Sequence, residues 1–323
     1  MKRMLLPIAV WIFGAGLIYP GAVAARRARM AIAVPGKSEI VFMTAKEKGY
    51  YSDEGLDVEL IVTGGINRLA LIAGEVDFSS SGSASIVPVL RGAPLRVLYT
   101  AFYRTTLWLY AKADLRDVKS LKGKRIAVSR VGDTSEVYLR EVLRRYGLEA
   151  GRDVVVLAAG QPVNRYAALA SGTVDAAVVA DPFNFLAKEA GFRELVSFLS
   201  DDTDIVHLSG SIVVRDALLQ TDRTLAEKFI RGSLRALRYV RNNRAGVLPI
   251  LARNLGITDE LAGKNYDMFR PAMTADGTVN LDMQKKAVDL QLKVIGSKES
   301  PPMEKFFDFS MTQRLSAELD GRR

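Results

Sequence analysis

The chain has 323 residues, 45 Lys plus Arg against 36 Asp plus Glu, a formal net charge of +9, a single His and no Cys. Without cysteine there is no disulfide framework, thiolate metal site, iron–sulfur cluster, cysteine nucleophile or lipoprotein anchor, and one His excludes any site built from two imidazoles. At roughly 150 residues per domain, the length points to about two domains. Lys2 and Arg3, the apolar stretch from Leu5 to Ile18 and the small residues Ala22-Val23-Ala24 read as a secretory signal cut after Ala24. Such a cut exports the mature chain and lowers its charge to +7. A retained signal anchor is the alternative, and no later stretch is apolar enough to cross a membrane. Secretion disfavours a nucleic-acid partner, and the dispersed positive charge suits anionic solutes only weakly. The one tight basic run, Arg26, Arg27 and Arg29, is expected to fray at the new terminus.

Ala31 to Val34 reads as a strand, broken by Pro35-Gly36-Lys37-Ser38, and Glu39 to Lys48 as a helix closing at Gly49. Val58 to Val62 is a second strand, Gly64-Gly65 a turn, Asn67 to Ala73 a helix ending at Gly74, and Val76 to Ser79 a third strand leading into Ser80-Ser81-Gly82-Ser83. The same order recurs from Lys124. Ile126 to Ser129 is a strand, Gly132-Asp133-Thr134-Ser135 a break, Glu136 to Tyr146 a helix ending at Gly147, and Val154 to Leu157 another strand. Leu71-Ile72-Ala73-Gly74-Glu75-Val76-Asp77 matches Leu169-Ala170-Ser171-Gly172-Thr173-Val174-Asp175 at an offset of 98, and Gly55-Leu56 matches Gly147-Leu148 at 92. Landmarks in one order imply two similar α/β units with largely parallel sheets. Ser209 to Val214 is a further strand, and beyond Leu225 the pattern is helical: Leu225 to Asn242, Gly246 to Asn254, Asp259 to Phe269 and Leu281 to Ile295. Those helices are expected to pack back on the first unit.

Ligands of open α/β sheets bind beyond the carboxyl ends of the strands. That rule selects Gly36, Lys37, Ser38, Ser81, Gly82 and Ser83 in the first unit, and Arg130, Gly132, Thr134, Ser135, Asp181 and Phe183 in the second. Helix-start N–H groups and hydroxyls there suit a polar or anionic group, although each Ser or Thr also fits ordinary capping. Asp181 favours a donor and Arg130 an acceptor, so the ligand's charge stays open. Ala31 to Ser38 fits a relaxed phosphate-loop pattern, but four of its residues are the strand itself, which leaves no cradle. His207 lies near Asp201, Asp202 and Asp204, yet no serine stands in a G-x-S-x-G elbow, so it reads as a boundary residue and not a base. Asp77 and Asp175 lie at strand starts, the wrong end for a ligand site, and read as structural.

Several phrases together resemble the periplasmic solute-binding proteins of ABC importers in the nitrate, sulfonate, taurine and thiamine-pyrimidine group. They are Ala45-Lys46-Glu47-Lys48-Gly49-Tyr50-Tyr51 with Glu54-Gly55-Leu56-Asp57-Val58, Ala73-Gly74-Glu75-Val76-Asp77, Leu121-Lys122-Gly123-Lys124-Arg125-Ile126-Ala127-Val128, Ser171-Gly172-Thr173-Val174-Asp175-Ala176 with Asp181-Pro182, and Asp308-Phe309-Ser310. The resemblance, running from about Arg29 to Leu319, implies an α/β flytrap, the type 2 periplasmic-binding-protein fold. Lobe one would come from residues 29–108 and 208–323, lobe two from 109–207, with two hinge crossovers near Leu107 to Tyr110 and Ile205 to Leu208. Tyr103 and His207 would then lie near the cleft. It further implies a small-molecule ligand, a membrane permease as partner, a monomer, no cofactor and no enzymatic activity. A sensor protein reporting to a membrane kinase is the alternative. A fungal thiamine-pyrimidine synthase shares the fold, but it carries a cysteine cluster that this sequence lacks.

Overall fold

Residues 25–33, 36–63, 66–200, 204–299 and 301–321 are described by the structure, a computed structural model. The expected signal, Val34 and Pro35 of the first loop, the Gly64-Gly65 turn, and Asp201 and Asp202 lie outside these residues. Among the described residues, ten strands form two five-stranded sheets: β1 (Arg26–Ile32), β2 (Leu56–Val62), β3 (Phe78–Ser79), β4 (Leu95–Phe102), β5 (Leu107–Ala111), β6 (Arg125–Val128), β7 (Val155–Ala158), β8 (Ala176–Ala180), β9 (Arg193–Ser197) and β10 (Ser209–Arg215). The orders are β2-β1-β3-β10-β4 and β7-β6-β8-β5-β9.

The two orders match strand for strand, and the match explains why neither sheet is wholly parallel. β2, β1 and β3 run parallel, as do β7, β6 and β8. The fourth strand of each sheet is the one the chain enters directly from the other sheet: β5 from β4, and β10 after β9. Arriving from the side where the parallel strands end, it runs antiparallel to both neighbours. Leu107 and Trp108 already pair with Ala180 and Val179. The crossing therefore occupies 103–106, ahead of the Leu107 to Tyr110 segment expected to carry it, because an apolar run flanked by partners on both sides becomes a central strand.

β1 starts five residues earlier than its apolar run suggests. Arg26, Arg27 and Arg29 are strand residues in register with Leu56, Asp57 and Glu59. Arg26 is ion-paired to Asp222 at 3.2 Å and Arg27 to Glu59 at 2.6 Å. The expected fraying is corrected accordingly: backbone pairing to β2 and acidic neighbours order a run that looked like a basic tail.

Helices α1 (Ile40–Glu47), α2 (Asn67–Ile72) and α3 (Ile86–Leu90) follow the first three strands, and α4 (Thr134–Arg145), α5 (Pro162–Ala170) and α6 (Phe183–Glu189) follow β6, β7 and β8. Gly74 and Gly172, with φ of 80° and 74°, end their helices in the left-handed region before the next strand. The aspartates three residues later repeat one device. Asp77 accepts from the Arg29 N–H at 2.8 Å, and Asp175 from the Arg125 N–H at 2.9 Å, each tying a strand start to its neighbour.

The remaining helices are α7 (Asp216–Thr221), α8 (Arg223–Asn242), α9 (Arg244–Leu255), α10 (Asp259–Phe269), α11 (Leu281–Val294) and α12 (Ser310–Gly321). Asp222, Thr258 and Asn280 cap α8, α10 and α11 through their side chains. On α8, Leu225, Phe229, Ile230, Leu234, Leu237 and Val240 share a buried stripe over the first sheet. Phe229 sits between Phe78 and Tyr51 with ring centroids 4.2 and 4.7 Å away. Two of these helices also reach the second sheet's side. Leu290 of α11 belongs to its core, and Asn184 of α6 donates to the Met268 sulfur of α10 at 3.6 Å.

Candidate functional site

The parallel strands of both sheets end toward a cleft of about 290 Å³. One wall carries Ser38, Glu39, Asn67, Arg68, Ser80 and Ser81, and the other Ser129, Arg130, Asp133, Thr134, Ser135 and Arg165. The returning chain supplies His207, Leu208 and Ser209 between them.

Of the residues selected from sequence, Ser38, Ser81, Arg130, Thr134, Ser135 and His207 line this cleft. Arg130 is exposed and its Nε donates to Asp133 at 3.1 Å, so its charge is largely spent within its own loop. Thr134 opens α4, whose first N–H groups have no intrahelical acceptor. The Ser135 hydroxyl is engaged, 2.8 Å from both the Ser129 N–H and the Ser129 hydroxyl.

The other selected residues stand behind or beside the cleft. Lys37 is 6% exposed, donates to the Arg104 carbonyl at 3.4 Å and lies 4.8 Å from the Phe102 ring centroid. Burial pulls its pKa down to about 8, against the pull of the Asp181 and Glu39 carboxylates. Asp181 accepts from the Thr106 hydroxyl, and burial raises its pKa while the Lys37 charge opposes the rise. The two thus interact across the 103–106 crossing. Gly82 and Ser83 hold the returning chain. A Cβ at Gly82 would overlap Ser211 and the Leu208 carbonyl, and Ser83 exchanges two hydrogen bonds with Leu208. Gly36 has extended backbone that any residue adopts, while Gly132, at φ 82°, turns its N–H toward Glu136. Tyr103 donates to the Pro271 carbonyl at 3.1 Å and lines a separate surface pocket, and Phe183 packs 5.8 Å from the Tyr166 ring. The side chains of both are taken up by neighbours outside the cleft lining.

His207 Nδ1 lies 2.5 Å from the buried Tyr138 hydroxyl. Burial, helped by the Lys37 charge, drives its pKa down to about 3, so the imidazole stays neutral. Asp204, the described aspartate near it, is ion-paired to Lys286 at 2.8 Å. No acid–imidazole–hydroxyl relay forms among the described residues.

Three cleft residues carry a buried polar atom with no partner among the described residues: Glu39 Oε2, Arg165 Nε and Ser209 Oγ. Glu39 and Arg165, each 4% exposed, were not selected from sequence. Glu39 accepts from Ser80 at 3.0 Å, and burial pushes its pKa up to about 8 against that bond and the Lys37 charge. Arg165 donates from Nη1 to the Val178 carbonyl at 2.6 Å, and burial lowers its pKa to about 10. Asn67 and Arg165 both sit in the first turn of the helix after the second strand of their unit, 98 positions apart. The repeat offset links Arg165 to Asn67, and neither was selected because both fall after the second strand of their unit, beyond the selected loops. A buried polar atom left unpaired costs about 1–3 kcal/mol, and three in one cleft mark it as built for a partner.

Comparison with known proteins agrees with this geometry. The chain is 26% identical to YtlA of Bacillus subtilis over 208 residues, 62% of each chain. It is 26% identical to the 4-amino-5-hydroxymethyl-2-methylpyrimidine phosphate synthase THI13 of Saccharomyces cerevisiae over 150 residues, 45% of this chain and 43% of that one. The chain thus spans less than two thirds of the length of these curated relatives. In fold, it resembles the periplasmic aliphatic sulphonate binding protein SsuA of Escherichia coli, with a TM-score of 0.68, 20% identity and coverage of 87% of this chain and 91% of that one. The NMT1/THI5-like family profile matches residues 38–245, a stretch that begins after β1 and holds every cleft-lining residue from Ser38 to Ser209, and the chain belongs to that family.

Proposed function

We propose that the chain is the extracytoplasmic solute-binding component of an ABC importer, capturing a small polar or anionic organic solute in this cleft and delivering it to a membrane permease. The observation that carries the reading is the set of partnerless buried polar atoms, Glu39 Oε2, Arg165 Nε and Ser209 Oγ, on residues that line one solute-sized space between two matching sheets. In this reading, lobe one is 26–102 with 209–321 and lobe two is 107–197, and the two close about the crossings at 103–106 and 205–208. The solute completes the wall contacts and favours the closed arrangement. The structural likeness to SsuA supports the fold of a binder, and a sulfonate, taurine, nitrate or pyrimidine remains within the solute class. No described helix is long and apolar enough to cross a membrane.

The match to THI13 raises an enzyme reading. The cleft favours capture over chemistry: its imidazole, with a pKa lowered to about 3, is a weak base bonded to Tyr138, and the Ser81 and Ser135 hydroxyls are tied to neighbouring serines. The test is a thermal-shift screen of the mature chain from Ala25, unfolded and refolded to strip bound solute. Sulfonates, taurine, nitrate, dicarboxylates and pyrimidines form the panel. A solute at about 100 times its Kd adds roughly 2.7 kcal/mol and moves the Tm by several degrees. Turnover of a bound compound into a released product would sink the reading.

A further inference from the structure

Resting on solute capture, we propose that the solute is dipolar, with an amine or other N–H donor group held by Glu39 on one wall and an anionic or acceptor group held by Arg165 and the start of α4 on the other. A difference between the repeated units carries the argument. Ser38-Glu39 and Ser135-Glu136 occupy the same place, 97 positions apart, where the chain leaves the second strand in order of each sheet and enters its helix. Both glutamates are buried. In the second unit, Arg140, one helical turn on, donates to Glu136, and the Gly132 N–H donates to its other oxygen at 3.3 Å. In the first unit, the residue one turn on is Met43, which belongs to the apolar core. Glu39 therefore has Ser80 on Oε1 and nothing on Oε2 among the described residues. Lys37 is the charge that acts on it, and Arg68, on the same wall, forms no ion pair with it.

The direction of the hydrogen bonds decides what Glu39 seeks. Asn67 donates to Ser80 at 3.2 Å and Ser80 donates to Glu39, so the chain of donors ends on Glu39 as acceptor. Such a bond favours the carboxylate, and a buried carboxylate with a bare oxygen needs a donor, best a charged one. Without solute, burial keeps the proton on Glu39 near neutrality, and a cationic donor would displace it. The other wall has the opposite sense: Arg165 Nε lacks an acceptor, and Thr134 and Ser135, which open the twelve-residue α4, line the same space. A simple anion such as nitrate or sulfate would satisfy the second wall and leave Glu39 bare.

The mature chain, stripped by refolding, is dialysed against taurine, β-alanine, ethanesulfonate, propionate and nitrate, and separately against a small-metabolite cell extract. Retained compounds are identified by mass spectrometry. The expected result is retention of compounds bearing both groups, at least tenfold above partners lacking the nitrogen. Glu39→Gln, which keeps an acceptor for Ser80, should retain them at least tenfold less while its circular dichroism is unchanged. Equal retention of compounds without the donor group, or full retention by Glu39→Gln, overturns the dipolar assignment and leaves solute capture standing. A folded wild-type chain that retains nothing from panel or extract overturns solute capture, and the assignment with it.

Discussion

Replacing Glu39 by Gln should change how stability depends on pH before any ligand is known. The folded pKa of Glu39 is raised to about 8 from an ordinary 4.5, because burial disfavours its charged form. Below pH 4.5 both folded and unfolded chains hold the proton, so the carboxyl costs nothing. Between 4.5 and 8 the unfolded chain releases its proton while the folded chain keeps it, and stability falls as pH rises; above 8 the loss is complete. At 1.36 kcal/mol per unit, the gap is worth at most about 5 kcal/mol, and water penetration makes about 2–4 kcal/mol the working figure. Other groups add their own slopes. His207, lowered to about 3, makes stability fall as pH drops below 6.5, and Asp181, raised by burial, acts in the same sense as Glu39. Lys37, lowered to about 8, costs stability below that pH and regains it as the pH climbs toward 10.5. These contributions largely cancel when wild type and Glu39→Gln are subtracted. Urea titrations of both stripped proteins at pH 5, 6, 7 and 8 should show the variant gaining relative to wild type with each step, by about 2–4 kcal/mol in all. Parallel curves across that range would refute the burial of a lone titrating carboxyl at this position.

Three further outcomes follow from the contacts. Arg165→Met should abolish measurable solute binding, with Thr134→Ala weakening it by about 1 kcal/mol in calorimetry; the Ser135 hydroxyl, tied to Ser129, should cost apo stability when removed, which separates it from Thr134 in a melt. Gly82→Ala should destabilise by about 2–4 kcal/mol in urea, because its methyl group meets the Leu208 carbonyl and Ser211 where the returning chain passes, and a wild-type midpoint would contradict that close approach. Asp77→Asn and Asp175→Asn should both destabilise, the second more, since Asp175 also holds Lys112 at 2.7 Å; equal losses would deny the ion pair any weight.

How far the site could be read in advance depended on whether a signal was local. The helix stops at Gly74 and Gly172, the caps Asp222 and Thr258 and the strand-start aspartates are written in single residues, and each stands where its chemistry requires. The antiparallel fourth strands are not local. Leu107 to Tyr110 and Ser209 to Val214 look like any apolar run, and their direction follows only from the chain having come from the other sheet. The basic start of β1 misled for the same reason: Arg27 becomes ordered through Glu59, a residue 32 positions away. Composition around a loop likewise favours exposed hydroxyls and an exposed Arg130, whereas the atoms that lack partners are on Glu39 and Arg165, whose burial at the starts of α1 and α5 no local pattern announces.

The repeat itself supplies the missing signal. Two units from one pattern should bury equivalent residues with equivalent partners, and where they diverge, packing alone does not account for the difference. At Asp77 and Asp175 the partners agree, so the residues are structural. At Glu39 and Glu136 they differ: one glutamate is closed by Arg140, and the other has the core residue Met43 at the position of that arginine. Giving the first unit the second unit's solution tests this directly. Met43→Arg should bring a guanidinium within reach of Glu39, an i to i+4 pair, and close the acceptor from within. Core burial of Met43 makes some loss of stability certain, so the comparison is with Met43→Gln, which disturbs the core without supplying a charge. If Met43→Arg loses solute retention at least tenfold beyond Met43→Gln at equal folded fraction, Glu39 is held open for the solute. If the two variants retain solute equally, the bare oxygen of Glu39 has no part in capture.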